Sequence, residues 1–123
     1  MFSSLFSKRK FKGLNYLELT PFSFVGYEPA QDGEIRLLIP RFKNDFFLKF
    51  LSKRKSPYIR ANLDKFGSAV WLMIDGKNRV CDIAESLTEK FGDEIQPVHD
   101  RLTLFLTQLY RNGFISFNEL KKG

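Results

Sequence analysis

Beyond residue 63 the chain is cut into three helical stretches by short, strongly directional stop signals, and this punctuation restricts the fold more than any other feature. Asp64 is a good N-cap, its carboxylate able to reach the free amides of a helix that runs to Ile74 and buries Phe66, Val70, Met73 and Ile74. Asp75-Gly76 stops it. Val80, Ile83, Ala84 and Leu87 share one face of a second helix that runs to Phe91, with Gly92 standing where a left-handed residue ends helices. Pro97, whose missing N–H would be unsatisfied there anyway, opens a third helix that runs to Asn112-Gly113. Val98, Leu102, Phe105 and Leu109 centre on its core face. Arg101, Leu104 and Gln108 lie on one flank, Leu106 and Tyr110 on the other, so the helix is more apolar than a one-sided core helix needs. That surplus requires a second partner: the inserted segment described below, the N-terminal arm, another subunit or a peptide.

The preceding half has the two-residue period of strands. From Pro21, residues Phe22, Phe24 and Gly26 alternate with Ser23, Val25 and Tyr27, predicting one strand. Residues 28–33 contain Pro29 and Asp32-Gly33, which is turn chemistry, and a second strand over 34–39 ends at Pro40. The two form a β-hairpin whose loop exceeds the minimal two residues. In the stretch 41–57, Phe42, Phe46, Phe47 and Phe50 recur at helical spacing, predicting a short inserted helix before the basic cluster Lys53-Arg54-Lys55. Residues 58–63 alternate again, Ile59, Ala61 and Leu63 against Tyr58, Arg60 and Asn62, as a strand with one buried face requires. A short strand over 114–117 closes the chain. The expected organisation is an arm over 1–20, in which Phe2, Leu5 and Phe6 are helically spaced, a domain over 21–117 with the insert at 41–57, and a tail over 118–123. The class is α+β.

At 123 residues with nineteen aromatics, fourteen of them Phe, the chain can build one core without a staple. One Cys (Cys81) and one His (His99) exclude an internal disulfide and a Cys/His zinc site. His99 beside Asp100 reads as a surface residue, Cys81 and Trp71 as core, and Asp82, Glu85 and Glu89 as a solvated acidic helix face. No phosphate loop, metal-ligand series or nucleophile motif is present, so no catalytic residue, metal or cofactor is expected. No apolar run approaches the ~18 residues of a membrane span. The basic cluster Lys8-Arg9-Lys10 follows the apolar residues of the N-terminus, an order that does not fit a secretory signal, and the cytoplasm is expected. Charge is divided unevenly: residues 1–60 carry twelve Lys/Arg against five Asp/Glu, +7, and residues 61–123 eight against nine, −1. The basic half suits acidic peptides, anionic lipid headgroups or nucleic acid.

The series Leu63-Asp64-Lys65-Phe66-Gly67-Ser68-Ala69-Val70-Trp71, Asp75-Gly76, Val80-Cys81-Asp82-Ile83-Ala84, Phe105-Leu106 with Leu109, and Gly113-Phe114-Ile115 resembles the PqqD-like family of peptide chaperones, or RiPP recognition elements, named for pyrroloquinoline quinone biosynthesis. The resemblance implies a small winged-helix-like domain, a three-stranded antiparallel β-sheet followed by a three-helix bundle. It also implies a noncatalytic role: holding the leader segment of a ribosomally made precursor peptide and presenting it to a modifying enzyme, often a radical SAM enzyme. Binding would be β-augmentation, in which a peptide adds as a strand to unpaired N–H and C=O groups at a sheet edge. The family's binding edge corresponds to Tyr58, Ile59, Arg60, Ala61, Asn62 and Leu63, and its other groove wall to the third helix, with Arg101, Leu104, Phe105 and Gln108 as candidates. Arg79 departs from the Ser or Thr usual in this family before the second helix, and the 41–57 insert is longer than the minimal pattern.

A winged-helix DNA-binding domain and a structural or oligomerisation module are the rival readings. Against DNA, the third helix carries only Arg101 and Arg111, with Asp100 adjacent, whereas duplex binding draws on several phosphate and base contacts. The exposed edge and the surplus apolar helix surface also leave a homodimer open.

Overall fold

The computed structural model describes Phe11, residues 13–40 and residues 58–121. Among them are strands β1 (Pro21–Ser23), β2 (Gly26–Pro29), β3 (Ile35–Pro40), β4 (Tyr58–Asn62) and β5 (Ile115–Phe117), and helices α1 (Lys65–Met73), α2 (Val80–Phe91) and α3 (Val98–Arg111). The class is α+β, with a three-stranded antiparallel sheet in the order β2-β3-β4 and three helices after it. Packing divides the chain into two compact units, one of Val25–Ser68 and one taking residues up to Phe24 and from Ala69 onward. The insert helix expected at 41–57 and the helical spacing of Phe2, Leu5 and Phe6 lie outside the described residues.

The single strand expected from Pro21 to Tyr27 is two strands belonging to different sheets. β1 pairs with β5, Pro21 opposite Phe117 and Ser23 opposite Ile115, and the Phe24 amide continues the pairing to the Phe114 carbonyl at 2.9 Å. After a bend at residues 24–25, β2 pairs with β3, Gly26 opposite Leu38 and Pro29 opposite Ile35. The alternation of Phe22, Phe24 and Gly26 is compatible with either partner, and a bend of two residues preserves it. Glu28 and Pro29, expected in the turn, are therefore strand. The loop closes with the Ala30 amide donating to the Glu34 carbonyl at 2.8 Å, and Gly33 there has φ 77°, which a side chain would make costly.

Within the sheet unit, β3 buries Ile35 and Leu37. Its start is held by a hydroxyl: the Ile35 amide donates to Ser68 Oγ at 3.0 Å, and Ser68 Oγ donates to the Leu63 carbonyl at 3.3 Å. The Leu63 amide in turn donates to the Ile35 carbonyl at 3.0 Å. Asp64 caps α1 as the spacing predicts, its Oδ1 accepting from the Gly67 amide at 2.8 Å. Because Ser68 is 3% exposed, Ser68→Ala strands a buried N–H, and the expected loss is about 1–3 kcal/mol of unfolding free energy in urea titration. A Ser68→Ala protein as stable as wild type would show that the hydroxyl bridge carries no weight.

Along α1, Val70 and Ile74 are buried as expected, but Phe66 and Met73 are half-buried, while Ala69 and Trp71 lie in the core. Asp75 closes the helix through Oδ1, which accepts from the Lys77 and Asn78 amides at 2.9 Å each, and these bonds hold its carboxyl below the usual range. α2 buries Val80, Ile83, Ala84 and Leu87, the four residues its periodicity selects. The Ser or Thr cap missing at Arg79 is compensated from inside the helix: the Arg79 amide donates to Asp82 Oδ2 at 3.0 Å, one half of a capping box. Cys81, expected in the core, is half-exposed, since its side chain flanks the face that Val80 and Ile83 bury. Gly92 has positive φ, 57°, but an extended ψ of −129°, so it leads into a single 3-10 turn, Gly92–Ile95, and not a left-handed stop. Pro97 is the N-cap of α3 and not its first helical residue.

The buried stripe of α3 is rotated from the expected one. Leu106 is fully buried and Phe105 only half, with Val98, Leu102 and Leu109 in the core as read. The cause is the segment before β1. Phe11, 3% exposed, sets its ring against Tyr110 at 5.6 Å and Phe117 at 6.1 Å, and Thr103 Oγ1 donates to Tyr16 Oη at 3.0 Å. Of the four partners considered for the surplus apolar surface, the N-terminal segment covers the Tyr110 side. Leu19 is buried beside it, and the Thr20 amide and hydroxyl donate to the two carboxylate oxygens of Glu119 at 2.8 and 2.9 Å.

Burial raises the Tyr16 phenol to about 12, only partly offset by its bond to Thr103. The folded state thus keeps a proton that the unfolded chain loses at its ordinary value of 10.0. Stability from this group is complete below that pH and is lost as pH rises through it towards about 12, by roughly 2–3 kcal/mol at the limit. Tyr16→Phe is expected to remove that component of alkaline destabilisation; an unchanged pH profile would place the titration elsewhere.

Candidate functional site

β4 is an edge strand: among the described residues it pairs with β3 alone, Asn62 opposite Arg36, Arg60 opposite Leu38 and Tyr58 opposite Pro40. In an antiparallel pair, successive residues turn their backbone groups alternately towards and away from the partner. The Leu63 amide bonds to Ile35, which lies opposite it in this register, so Ala61 and Ile59 also face β3. Arg60 and Asn62 consequently aim their N–H and C=O groups outward, where an added strand would receive them.

The side chains divide by the same parity. Ile59 and Ala61 share a face with Leu37 and Ile39, and Arg60 and Asn62 share the other with Arg36 and Glu28. The apolar face is less covered than expected, with Ile59 46% exposed and Leu63 half-buried, as befits an edge. Tyr58, at 41%, also leaves a large side chain at the surface. On the polar face, Glu28 Oε2 serves two cations, Arg60 Nε at 3.0 Å and Arg36 Nε at 3.2 Å. Beside them lies a cleft of about 290 Å³ lined by Ala30, Gln31, Glu34, Arg36 and Asn62. Glu28 and Arg36 escape a reading by periodicity because their partnership depends on hairpin register, and Glu28 looks like a turn residue beside Pro29. The signal that could have found them is the spacing of both from the Asp32-Gly33 turn.

The helix candidates lie in the other unit. Arg101, Leu104 and Gln108 share one exposed stripe of α3, and Leu104 is 61% exposed. Phe105 flanks them, half-buried. The Arg101 guanidinium donates through Nη1 to the Glu94 carbonyl at 2.7 Å, so its direction is set by the 3-10 turn before α3. The structure therefore places Tyr58, Ile59, Arg60, Ala61 and Asn62 on one strand with Leu63 just past its end, and the four helix residues on or beside one stripe. His99 and Asp100 are exposed on the first turn of α3, as read. Among the described residues no three His, Cys, Asp or Glu side chains group as metal ligands, and no helix is long and apolar enough to cross a membrane.

Chemically, the β4 edge offers backbone donors and acceptors in strand spacing, an apolar face and a cationic face. Residues 57–115 match the family model described as Coenzyme PQQ synthesis protein D (PqqD). The match takes in β4, the three helices and the first residue of β5, and leaves β1, β2 and β3 outside it. No curated protein and no solved structure matches the chain.

Proposed function

We propose, from the premise that the chain is PqqD-like over residues 57–115, that it is a noncatalytic adaptor that captures a peptide strand on β4 and presents it to a modifying enzyme. The matched family takes part in coenzyme PQQ biosynthesis, where it works with a peptide and a biosynthetic enzyme. The observation that carries the reading is the outward-facing backbone of Arg60 and Asn62 on an edge strand inside the matched segment. The peptide is the leader of a ribosomally made precursor, the enzyme that receives it is of the radical SAM class, and the compartment is the cytoplasm. The exposed stripe of Arg101, Leu104 and Gln108, with Phe105, is a second contact surface for the peptide or its enzyme.

An amide chemical-shift titration with short peptides encoded beside the gene tests this, with a duplex oligonucleotide as control. Saturable shifts on residues 58–63, with smaller ones along Arg101, Leu104, Phe105 and Gln108, are the expected result. Silence with every peptide combined with saturable shifts along α3 on adding duplex would replace the reading by nucleic-acid binding.

A further inference from the structure

Glu28, Arg36 and Arg60 form a cluster with one carboxylate to two guanidiniums. A single oxygen, Oε2, meets both Nε groups, at 3.2 Å for Arg36 and 3.0 Å for Arg60. Each guanidinium has five N–H donors in a fixed fork; Arg60 Nε donates to Glu28, Arg36 Nε is buried without a hydrogen bond, and among the described residues neither pair of Nη groups makes a hydrogen bond. Glu34, the other acid on this side of the sheet, lines the cleft beside Arg36 without forming an ion pair among the described residues. Glu28 orients the Arg60 fork through its hydrogen bond, stands at ion-pair distance from Arg36, and leaves one positive charge of the three-residue cluster uncompensated. Arg60 is also the central residue of β4 and one of those whose backbone faces away from β3, flanked by Ile59 and Ala61 on the opposite face.

An added strand must place side chains on the same face as the β4 residues directly opposite them. Position and charge then select the ligand. We infer that β4 selects a peptide strand with a carboxylate side chain opposite Arg60 and apolar side chains on both neighbouring residues, opposite Ile59 and Ala61. The pattern apolar–acidic–apolar holds whichever direction the peptide runs, because the period of two is unchanged by reversal. The inference rests on the proposed β4 edge and specifies what that edge selects. The incoming carboxylate accepts from free Nη groups while Glu28 keeps both Nε contacts, so binding adds charge-assisted hydrogen bonds without breaking the existing pair.

The test uses the full chain and acetylated, amidated peptides with a Val-Xaa-Val centre, Xaa being Glu, Gln or Lys, so that the only carboxylate is the side chain's. Wild type is expected to bind the Glu peptide about three- to tenfold more tightly than the Gln peptide, and the Lys peptide more weakly still, with the spread shrinking as salt is raised. Arg60→Gln levels the series and Arg60→Glu reverses it, each checked for a native amide spectrum. Equal affinities for the three peptides with shifts still on residues 58–63 would overturn the inference and leave the β4 edge standing. Absence of shifts on β4 with all three would overturn both.

Discussion

Phe117→Ala is expected to lower the unfolding free energy by about 3–5 kcal/mol, a large part of what a domain of this size possesses. Phe117 is fully buried on β5, and its ring meets Phe11 at 6.1 Å and Tyr110 at 5.8 Å, so the segment before β1 and the end of α3 converge on it. Its backbone pairs with Pro21. Truncation removes a large apolar side chain from a site whose walls are held by β1 and α3 and can collapse only in part. Leu104→Ser is the comparison, since Leu104 is 61% exposed, and its expected change lies within about 0.5 kcal/mol. Urea denaturation of both proteins decides the matter. A loss below about 1 kcal/mol for Phe117→Ala would mean that the aromatic cluster is not a centre of the core.

Peptide capture is expected to fail in Arg60→Pro and to survive, weakened, in Arg60→Ala. Proline at position 60 deletes an N–H that faces away from β3 and puts a ring where the added strand must approach, while every β4 bond to β3 stays available. The expected loss relative to Arg60→Ala is about one to two orders of magnitude in affinity, from one unmade hydrogen bond and the steric block. Ala61→Pro differs in kind. Its amide faces β3, so the substitution costs about 3 kcal/mol or more and is read as loss of the sheet's amide resonances. If Arg60→Pro and Arg60→Ala bound peptide equally well, β4 would not be the receiving edge.

How much of this was legible from residue order depends on whether the cause is local. The span and buried face of α2 were legible because Val80, Ile83, Ala84 and Leu87 lie on one helical face and Gly92 follows, whereas the exposure of Cys81 and the 3-10 turn at Gly92 were not. Asp64 was legible as a cap because its bond to the Gly67 amide spans three residues. The division between β1 and β2 was not, because what separates them is the partner, Ile115–Phe117 for one and β3 for the other, and periodicity carries no partner label. The rotated face of α3 was hidden for the same reason: Tyr16 and Phe11 cover it from about ninety residues away in sequence. On β4 the parity of Arg60 and Asn62 could be read from alternation alone. Which parity points outward required the bond between Leu63 and Ile35, and the Glu28 partnership required the hairpin register.

The pairing of β1 with β5 also sets an order of events during synthesis. The sheet unit is contiguous, Val25–Ser68, so its strands can find one another as soon as Ser68 has left the ribosome. The other unit is discontinuous. Among the described residues Pro21–Ser23 has no strand partner until Ile115–Phe117 is made, and Thr20 waits for Glu119. The apolar residues of the early segment, Phe11, Leu19 and Pro21 among them, therefore stay unsheltered for most of translation, and closure of their core is a late, long-range step. A nascent chain stalled between Ser68 and Phe114 would hold every strand of the β2-β3-β4 sheet while the pairing of β1 with β5 is still to come.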